Sequence, residues 1–314
     1  MELPGFTTGF STYVKIEGLN PAGSIKMKTA REMILDAEAK GRITPGCELI
    51  ESTSGNLGVA LAAICAARGH RITLVTDPNV NARTLRFIKA LGADVVIVDE
   101  RDRAGGYLAT RIDYIRRRTA ADPRLVWLNQ YANPANAAAH CTHTVGEILA
   151  GFGTPDWLFV GTGTAGTLMG CVRGLREAGA ATRIVAVDAV GSVTFGARPG
   201  RRWIPGIGTS RVPETYVDDG SFHKLLVDER DAVRTCRRVA REHGLLLGGS
   251  SGSTLAAVDA FSDRIAPGSR VLAISPDMGE GYLDTVYDDD WVTEHFGADT
   301  LAAAERREAA YLPG

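Results

Sequence analysis

The chain has 314 residues, enough for one large domain or two of ordinary size, and 45% of them are hydrophobic. It carries 35 basic and 37 acidic side chains, so no strong field attracts it to nucleic acid or to an anionic membrane, and small-molecule partners are expected. The first residues lack a signal-peptide pattern and the longest apolar run, Leu57 to Ala67, is too short to span a bilayer, which predicts a cytoplasmic protein without membrane or nucleic-acid partners.

The first predicted helix, Met27 to Ala39, follows a Pro/Gly/Ser turn and has two lysines, Lys26 and Lys28, at its start. Helices usually favour cations at the opposite end. A lysine at the positive end of the helix dipole, in an apolar neighbourhood, has its ammonium form disfavoured, so its amine could form a Schiff base. A solvated surface lysine is the alternative.

From Cys47 onward, short β-rich runs alternate with Ala-rich helical stretches. Buried strands are predicted for CELIES, RITLVTD, DVVIVD and RLVWLN, and again for DWLFVG, RIVAVDAV, HKLLVD and RVLAIS. This alternation predicts the α/β class, with doubly wound parallel sheets that are covered by helices on both faces. The GFGTP interruption near 150–155 predicts two domains, 1–150 and 151–314.

The stretch ESTSGNLG, Glu51 to Gly58, follows the first of these strands and opens an apolar helix. Thr53, Ser54 and Asn56 supply side-chain donors there, next to the free backbone amides of a helix start. We interpret the stretch as a site for a carboxylate or phosphate. The alternative, an ordinary helix cap, needs only one Ser or Thr.

Cysteines and histidines do not predict a metal site. His140 and His143 flank Cys141, but a tetrahedral site needs further ligands at suitable spacing. The five cysteines are scattered without a CxxC pair, which indicates buried thiols in a reducing compartment.

The stretch VGTGTAGTLMG, Val160 to Gly170, again places a Gly/Thr loop between a strand and a helix. Gly161, Gly163 and Gly166 match G-x-G-x-x-G, and Asp188 ends the next strand, so a nicotinamide-binding oxidoreductase is a rival interpretation. The threonines between the glycines are more than a dinucleotide pyrophosphate requires. They favour a terminal phosphate monoester.

Two further segments complete the pattern. The irregular stretch 197–220 is too long for a plain connector and is a candidate functional loop. GGSSGST, Gly248 to Thr254, opens another Ala-rich helix, either as a simple cap or as a third ligand-binding helix start. Three such starts are expected to converge at the carboxyl edge of the sheets, where α/β folds bind ligands.

Together these segments resemble the fold-type II pyridoxal phosphate enzymes, the cysteine synthase and cystathionine β-synthase family, which share the tryptophan synthase β-like fold. The resemblance extends over nearly the whole chain and implies pyridoxal 5'-phosphate as cofactor, held between two domains of a homodimer. Departures are Ala22 and Ala165 where Gly is common, Gly281 where Arg is frequent, and a start that lies after the family's Thr-Pro-Leu segment. The later start of this sequence puts its assigned first residue or the dimer contacts in question more than it does the chemistry.

The resemblance also implies a role for each motif. Lys26 would bind the cofactor as a Schiff base and then act as the catalytic base. Asn56 would bond the cofactor's phenolic oxygen, and Ser250 would face its pyridine nitrogen. The remaining roles are phosphate binding by Gly163, Thr164, Ala165, Gly166 and Thr167, and substrate-carboxylate binding by Thr53, Ser54, Gly55 and Gln130.

A serine at the ring nitrogen implies a weak electron sink, which favours β-elimination to an aminoacrylate. GGYLATRI, WLNQYAN and IPGIGTSRVPE resemble members that replace the phosphate of O-phospho-L-serine with L-glutamate, on routes to 2,3-diaminopropionate in siderophores and antibiotics. Arg211 is the candidate cation for the leaving phosphate, and Ser192 and Tyr107 are candidates for the nucleophile's pocket. Cysteine synthase or cystathionine β-synthase-like activity is the alternative.

Overall fold

The computed structural model describes residues 1–102 and 105–301. In these ranges it contains two parallel β-sheets with helices between the strands, which confirms the predicted α/β class. The strands are β1 (Ser11–Ile16), β2 (Glu48–Ser52), β3 (Arg71–Thr76), β4 (Asp94–Ile97), β5 (Leu125–Trp127), β6 (Trp157–Gly161), β7 (Arg183–Ala189), β8 (His223–Val227) and β9 (Arg270–Ser275). The helices are α1 (Lys26–Ala39), α2 (Asn56–Arg68), α3 (Ala82–Ala90), α4 (Leu108–Ala121), α5 (Pro134–Ala139), α6 (Val145–Gly151), α7 (Gly166–Glu177), α8 (Glu229–His243), α9 (Gly249–Ala260) and α10 (Asp289–Phe296).

The larger sheet has the strand order β1-β9-β6-β7-β8, and the smaller one has the order β4-β3-β2-β5. All eight predicted strands are present. β1 was not predicted, and it pairs in parallel with β9 at the edge of the larger sheet, with Ser11 opposite Arg270. The first strand therefore lies in a sheet whose other strands all come from the second half of the chain. The division at residue 150 stays a prediction.

Alternating side chains cover both faces of the larger sheet. On β6, Phe159 packs into a cluster with residues of α8 and α9, whereas Leu158 and Val160 pack into a cluster with residues of α6 and α7. The smaller sheet is likewise covered, with α1 and α2 on one face and α4 on the other. Sheets with two helical faces bury both sides of each central strand, which explains why these strands are apolar almost throughout.

The five cysteines are free thiols. None of the helices in the described part of the chain is long and apolar enough to cross a membrane.

Candidate active site

One cavity brings together three of the predicted motifs. It is lined by Lys26 at the start of α1, by residues 163–167 at the start of α7, and by Ser250 in the first turn of α9. Gly206 of the irregular segment lines it as well, so this segment packs over the cavity as a functional loop would. The motifs meet here because parallel strands direct the helices that follow them to one edge of the sheet.

Helices α1, α7 and α9 begin at this cavity, and α2 begins near it, since Asn56 contacts Asp277, which follows the lining residue Pro276. In the described structure these four helices have no side-chain cap, and neither have α4 and α6, whereas α3, α5, α8 and α10 each have one. In α1 the backbone amide of Lys26 still donates to Ser24 Oγ at 3.3 Å. Amides at an uncapped helix start bind anions, since they are hydrogen-bond donors at the positive end of the helix dipole. The starts of α2 and α9 thus lack the side-chain hydrogen bond that the ordinary-cap alternative requires.

The two lysines of α1 have different surroundings. Lys28 pairs with Glu17 at 2.8 Å and with Glu147 at 2.6 Å, near Lys15. The Lys26 side chain instead faces the cavity, where burial lowers its pKa from the ordinary 10.5, opposed by the negative charge of Asp277. This direction is the one expected for an amine that must be available in its neutral form.

The loop before α7 suits a phosphate group. Ala165 has a left-handed backbone with φ of 62°, which turns the chain into the helix. The hydroxyl of Thr164 accepts a hydrogen bond from Asn136 Nδ2 at 3.1 Å, and that of Thr167 lies 3.3 Å from His140 Nε2. Small residues, hydroxyls and open amides at one helix start are the donor set that a phosphate monoester requires, so the residues present fit the phosphate of pyridoxal phosphate.

His140 supports this loop. It lies in a short π-helix, His140–Thr144, and its Nε2 is 3.0 Å from the hydroxyl of Thr29 on α1. Burial lowers the pKa of His140 well below its ordinary value, so the ring is neutral at physiological pH. Among the residues described, no cluster of three or more His, Cys, Asp or Glu side chains could hold a metal ion.

The predicted carboxylate loop lies between β2 and α2. Thr53 is buried, and its hydroxyl accepts a hydrogen bond from the amide of Gly55 at 3.3 Å. Gln130 is also buried, and its side-chain amide donates to the carbonyl of Ser52 at 3.0 Å, directly before the loop. The structure thus brings Gln130 next to Thr53, although 77 positions separate them in the sequence.

Glu51 connects these two parts of the site. It is fully buried at the end of β2 and accepts hydrogen bonds from Trp127 Nε1 and the backbone amide of Gln130, both at 3.3 Å. Burial raises the pKa of Glu51 to about 7. The Gln130 turn is therefore held by a carboxyl group that changes charge near neutral pH.

The first prediction concerns the pH dependence of stability. The pKa of Glu51 rises on folding from 4.5 to about 7. Between pH 4.5 and 7 the Glu51 carboxyl is therefore protonated in the folded protein but ionised in the unfolded chain. The free energy of unfolding falls as pH rises through this range. In Glu51→Gln this pH dependence is absent. The free energy of unfolding of the variant minus that of the wild type should therefore increase by up to about 3 kcal/mol from pH 4.5 to 8. Urea unfolding of the cofactor-free proteins measures this difference. Parallel pH curves for the two proteins would contradict the assignment, and Glu294→Gln on the surface is the control.

Asp277 is a residue of the site that sequence reasoning missed. It follows β9 and is buried, and its Oδ2 accepts hydrogen bonds from Asn56 Nδ2 at 2.7 Å and from the Tyr282 hydroxyl at 2.5 Å. Burial raises its pKa above the ordinary 3.8. A signal was available, because an acidic residue directly after the strand RVLAIS lies at the edge of the sheet where ligands bind.

Arginine charges act on Tyr131, which follows Gln130. The guanidinium of Arg211 lies 5.1 Å from the ring centre and also pairs with Glu214. Arg111, which sequence reasoning missed within GGYLATRI, is buried, and its Nη1 forms an ion pair with Asp77 Oδ2 at 3.3 Å, while its Nε has no hydrogen-bond partner in the described structure. A buried guanidinium nitrogen without a hydrogen bond could still bind an anion.

The role of the two candidates for the nucleophile's pocket stays a prediction. The Ser192 hydroxyl accepts from the backbone amide of Thr209 at 3.0 Å and so organises the irregular segment. Tyr107 precedes α4, with the Arg101 guanidinium 4.9 Å from its ring centre. Neither is among the described residues that line the Lys26 cavity.

Comparison with known proteins adds four findings. The family model described as "Pyridoxal-phosphate dependent enzyme" matches residues 1–277. A relative from Ralstonia nicotianae, named N-(2-amino-2-carboxyethyl)-L-glutamate synthase, is 45% identical over 281 residues, which cover 89% of this chain and 83% of the relative. The crystal structure of O-ureido-L-serine synthase superposes with a TM-score of 0.85 at 33% identity and covers 96% of this chain and 94% of that one. The cysteine synthase of Entamoeba histolytica also has a TM-score of 0.85, at 28% identity, with 98% and 92% covered.

Proposed function

Because the chain belongs to the family of pyridoxal-phosphate-dependent enzymes, in the group that includes cysteine synthases, we propose that it makes N-(2-amino-2-carboxyethyl)-L-glutamate for 2,3-diaminopropionate biosynthesis. In this β-replacement, the bond between the β-carbon and oxygen of O-phospho-L-serine breaks and phosphate leaves. A new bond forms between that carbon and the amine of L-glutamate. The nicotinamide-binding interpretation of the Gly163 loop is wrong, since the family is one of pyridoxal phosphate enzymes.

The observation that carries this proposal is the single cavity shared by Lys26, the Gly163–Thr167 loop and Ser250. Pyridoxal phosphate, when bound, supplies an electron sink for negative charge at the substrate's α-carbon. In the proposed arrangement Lys26 would hold the cofactor through its amine until the substrate's own amine takes its place, and the released Nζ would then accept the α-proton. Its lowered pKa supports this role, because a base must be unprotonated to accept a proton.

The other residues bind and orient. The amides and threonine hydroxyls at the start of α7 hold the cofactor's phosphate, while Asn56 and Ser250 contact its ring. The start of α2, with Thr53, Ser54 and Gly55, binds the substrate's carboxylate together with Gln130. The positive end of the α2 dipole favours that carboxylate, which also fixes the substrate's orientation.

Product analysis tests the proposal. Purified enzyme with pyridoxal phosphate receives O-phospho-L-serine or O-acetyl-L-serine together with L-glutamate, sulfide and homocysteine in competition, and mass spectrometry identifies the products. We expect N-(2-amino-2-carboxyethyl)-L-glutamate from phosphoserine as the main product. Cysteine or cystathionine as the main product would instead support the alternative activities.

The second prediction concerns recognition of the leaving phosphate. Arg111→Ala and Arg211→Ala should each lower kcat/KM for O-phospho-L-serine about ten- to hundredfold, because a charge-assisted hydrogen bond to phosphate is lost. Turnover of O-acetyl-L-serine should change much less, since its leaving group is a single carboxylate. Equal losses with both substrates would remove the arginine concerned from this role. Arg116→Ala, on the exposed side of α4, is the control.

The proposal includes a homodimer in the cytoplasm, with amino acids as substrates and neither nucleic acid nor membrane as partners. The near balance of 35 basic and 37 acidic residues supports the absence of nucleic-acid binding. Light scattering should give twice the chain mass of 33.4 kDa, and a value at the monomer mass would contradict the dimer.

A further inference from the structure

We propose that Asp277 is a positioning residue, which fixes the amide of Asn56 in one orientation and thereby presents Asn56 to the cofactor ring. The inference rests on the proposed function, since it concerns the pyridoxal phosphate site. It begins from an unexplained buried group: Asp277 is 4% exposed, and its Oδ1 has no hydrogen-bond partner among the described residues. Burying a carboxylate oxygen without a hydrogen bond costs free energy, so its presence here requires an explanation.

The backbone holds Asp277 beside the turn that leads to Lys26. Ser24 and Asp277 form an antiparallel β-bridge, and the Ile25 amide donates to the carbonyl of Pro276 at 2.7 Å. The negative charge of Asp277 also acts on the amine of Lys26. Asp277 therefore lies directly after the lining residue Pro276, and the backbone ties it to the turn that carries the lysine.

The contact with Asn56 selects one of two amide orientations. The oxygen and nitrogen ends of an asparagine amide have nearly the same shape, so hydrogen-bond partners decide which way it points. In the structure Asn56 Nδ2 donates to Asp277 Oδ2 at 2.7 Å, and an ionised carboxylate, which only accepts, would hold the amide in this orientation. The second hydrogen on Nδ2 is then available to an acceptor on the ring, and Tyr282 supports the carboxylate with its own hydroxyl.

The packing around Asp277 leaves the carboxylate little freedom to move. A β-carbon placed on Gly248, before α9, would lie 1.9 Å from Asp277 Oδ1 and 2.9 Å from Cε2 of Tyr282. The backbone of Gly248 has φ of −68°, which any residue adopts, so the requirement for glycine comes from Asp277 and from the tyrosine that donates to it. The fold thus reserves space for this side chain.

A double-mutant cycle tests the proposal. Asp277→Ala and Asn56→Ala, singly and together, are stripped of cofactor and titrated with pyridoxal phosphate, with the dissociation constant and the visible absorbance maximum as readouts. Each single change should weaken cofactor binding about tenfold or more, whereas the double change should be no more than about threefold weaker than Asn56→Ala, because Asp277 acts through Asn56. Asp277→Asn, which keeps an acceptor oxygen, should restore most of the loss.

Losses that multiply in the double variant, or unchanged cofactor binding by Asp277→Ala, would overturn the proposal. If Asp277→Ala does not fold, Asp277→Leu serves in the same cycle because it keeps the side-chain volume without an acceptor. Gly248→Ala gives an independent check: it should weaken cofactor binding as Asp277→Ala does, while Gly281→Ala, which has open space, should not. Wild-type protein without cofactor bound at Lys26 would refute the proposed function instead.

Discussion

Lys26→Ala should lower turnover of O-phospho-L-serine by at least about a thousandfold, because one change removes both the covalent anchor of the cofactor and the base that accepts the α-proton. The cofactor should still bind, although more weakly, since the uncapped start of α7 and its threonines remain. Steady-state kinetics measure the loss. Borohydride reduction followed by peptide mapping should tag Lys26 in the wild type and give no tag in the variant.

Lys28→Arg is the matched control for this experiment. Lys28 lies two residues further on the same helix, but it pairs with Glu17 and Glu147, and arginine keeps that charge. Its activity should remain within a few-fold of wild type. A tag on any peptide other than the one that contains Lys26, in cofactor-loaded wild type, would contradict the assignment of the anchor.

Gly166→Ala should damage both stability and cofactor binding. A β-carbon at this position would lie 2.1 Å from Asn136 Oδ1 and 2.3 Å from its Cγ. Asn136 cannot easily turn away, because its Nδ2 donates to the Gln130 carbonyl at 2.9 Å and to the Thr164 hydroxyl at 3.1 Å. We expect the free energy of unfolding to fall by about 1–3 kcal/mol, as is usual for overpacking, and cofactor affinity to fall about tenfold or more.

Urea unfolding and cofactor titration measure these two effects. Gly146→Ala is the control, since it lies within α6 and a β-carbon there meets nothing within 4 Å. This change should raise the free energy of unfolding by up to about 1 kcal/mol through the better helix propensity of alanine. If Gly166→Ala binds the cofactor like wild type, the position of Asn136 between the phosphate loop and the Gln130 turn does not affect cofactor affinity.

The sequence allowed prediction of those features that depend on neighbouring residues. The central strands β2, β3, β6, β7 and β9 were recognisable because strands covered on both faces are continuous apolar runs, and the edge strands β4, β5 and β8 also carry short apolar runs. β1 was missed because its buried and half-buried positions alternate over only six residues, so it lacks a continuous apolar run. Lys26 was recognisable because a cation at a helix start is locally unfavourable and therefore requires an explanation.

The site residues that escaped prediction depend on contacts between distant segments. Asn56 and Asp277 are separated by 221 positions, so their hydrogen bond has no local pattern. Arg111 resembles any arginine on an amphipathic helix until its burial next to Asp77 is known. No periodicity identifies the acceptor of a hydrogen bond that forms only after the sheets are assembled.

The pairing of β1 with β9 has a consequence for how the chain is made. Ser11 can pair with Arg270 only after another 259 residues have been synthesised, which takes about 10–50 s at ordinary rates of synthesis. The segment that carries Lys26 follows β1 directly, and residues 276–278 come after β9. During translation the lysine therefore has no finished pocket, and chains that terminate before the last strand cannot acquire the cofactor in its final setting.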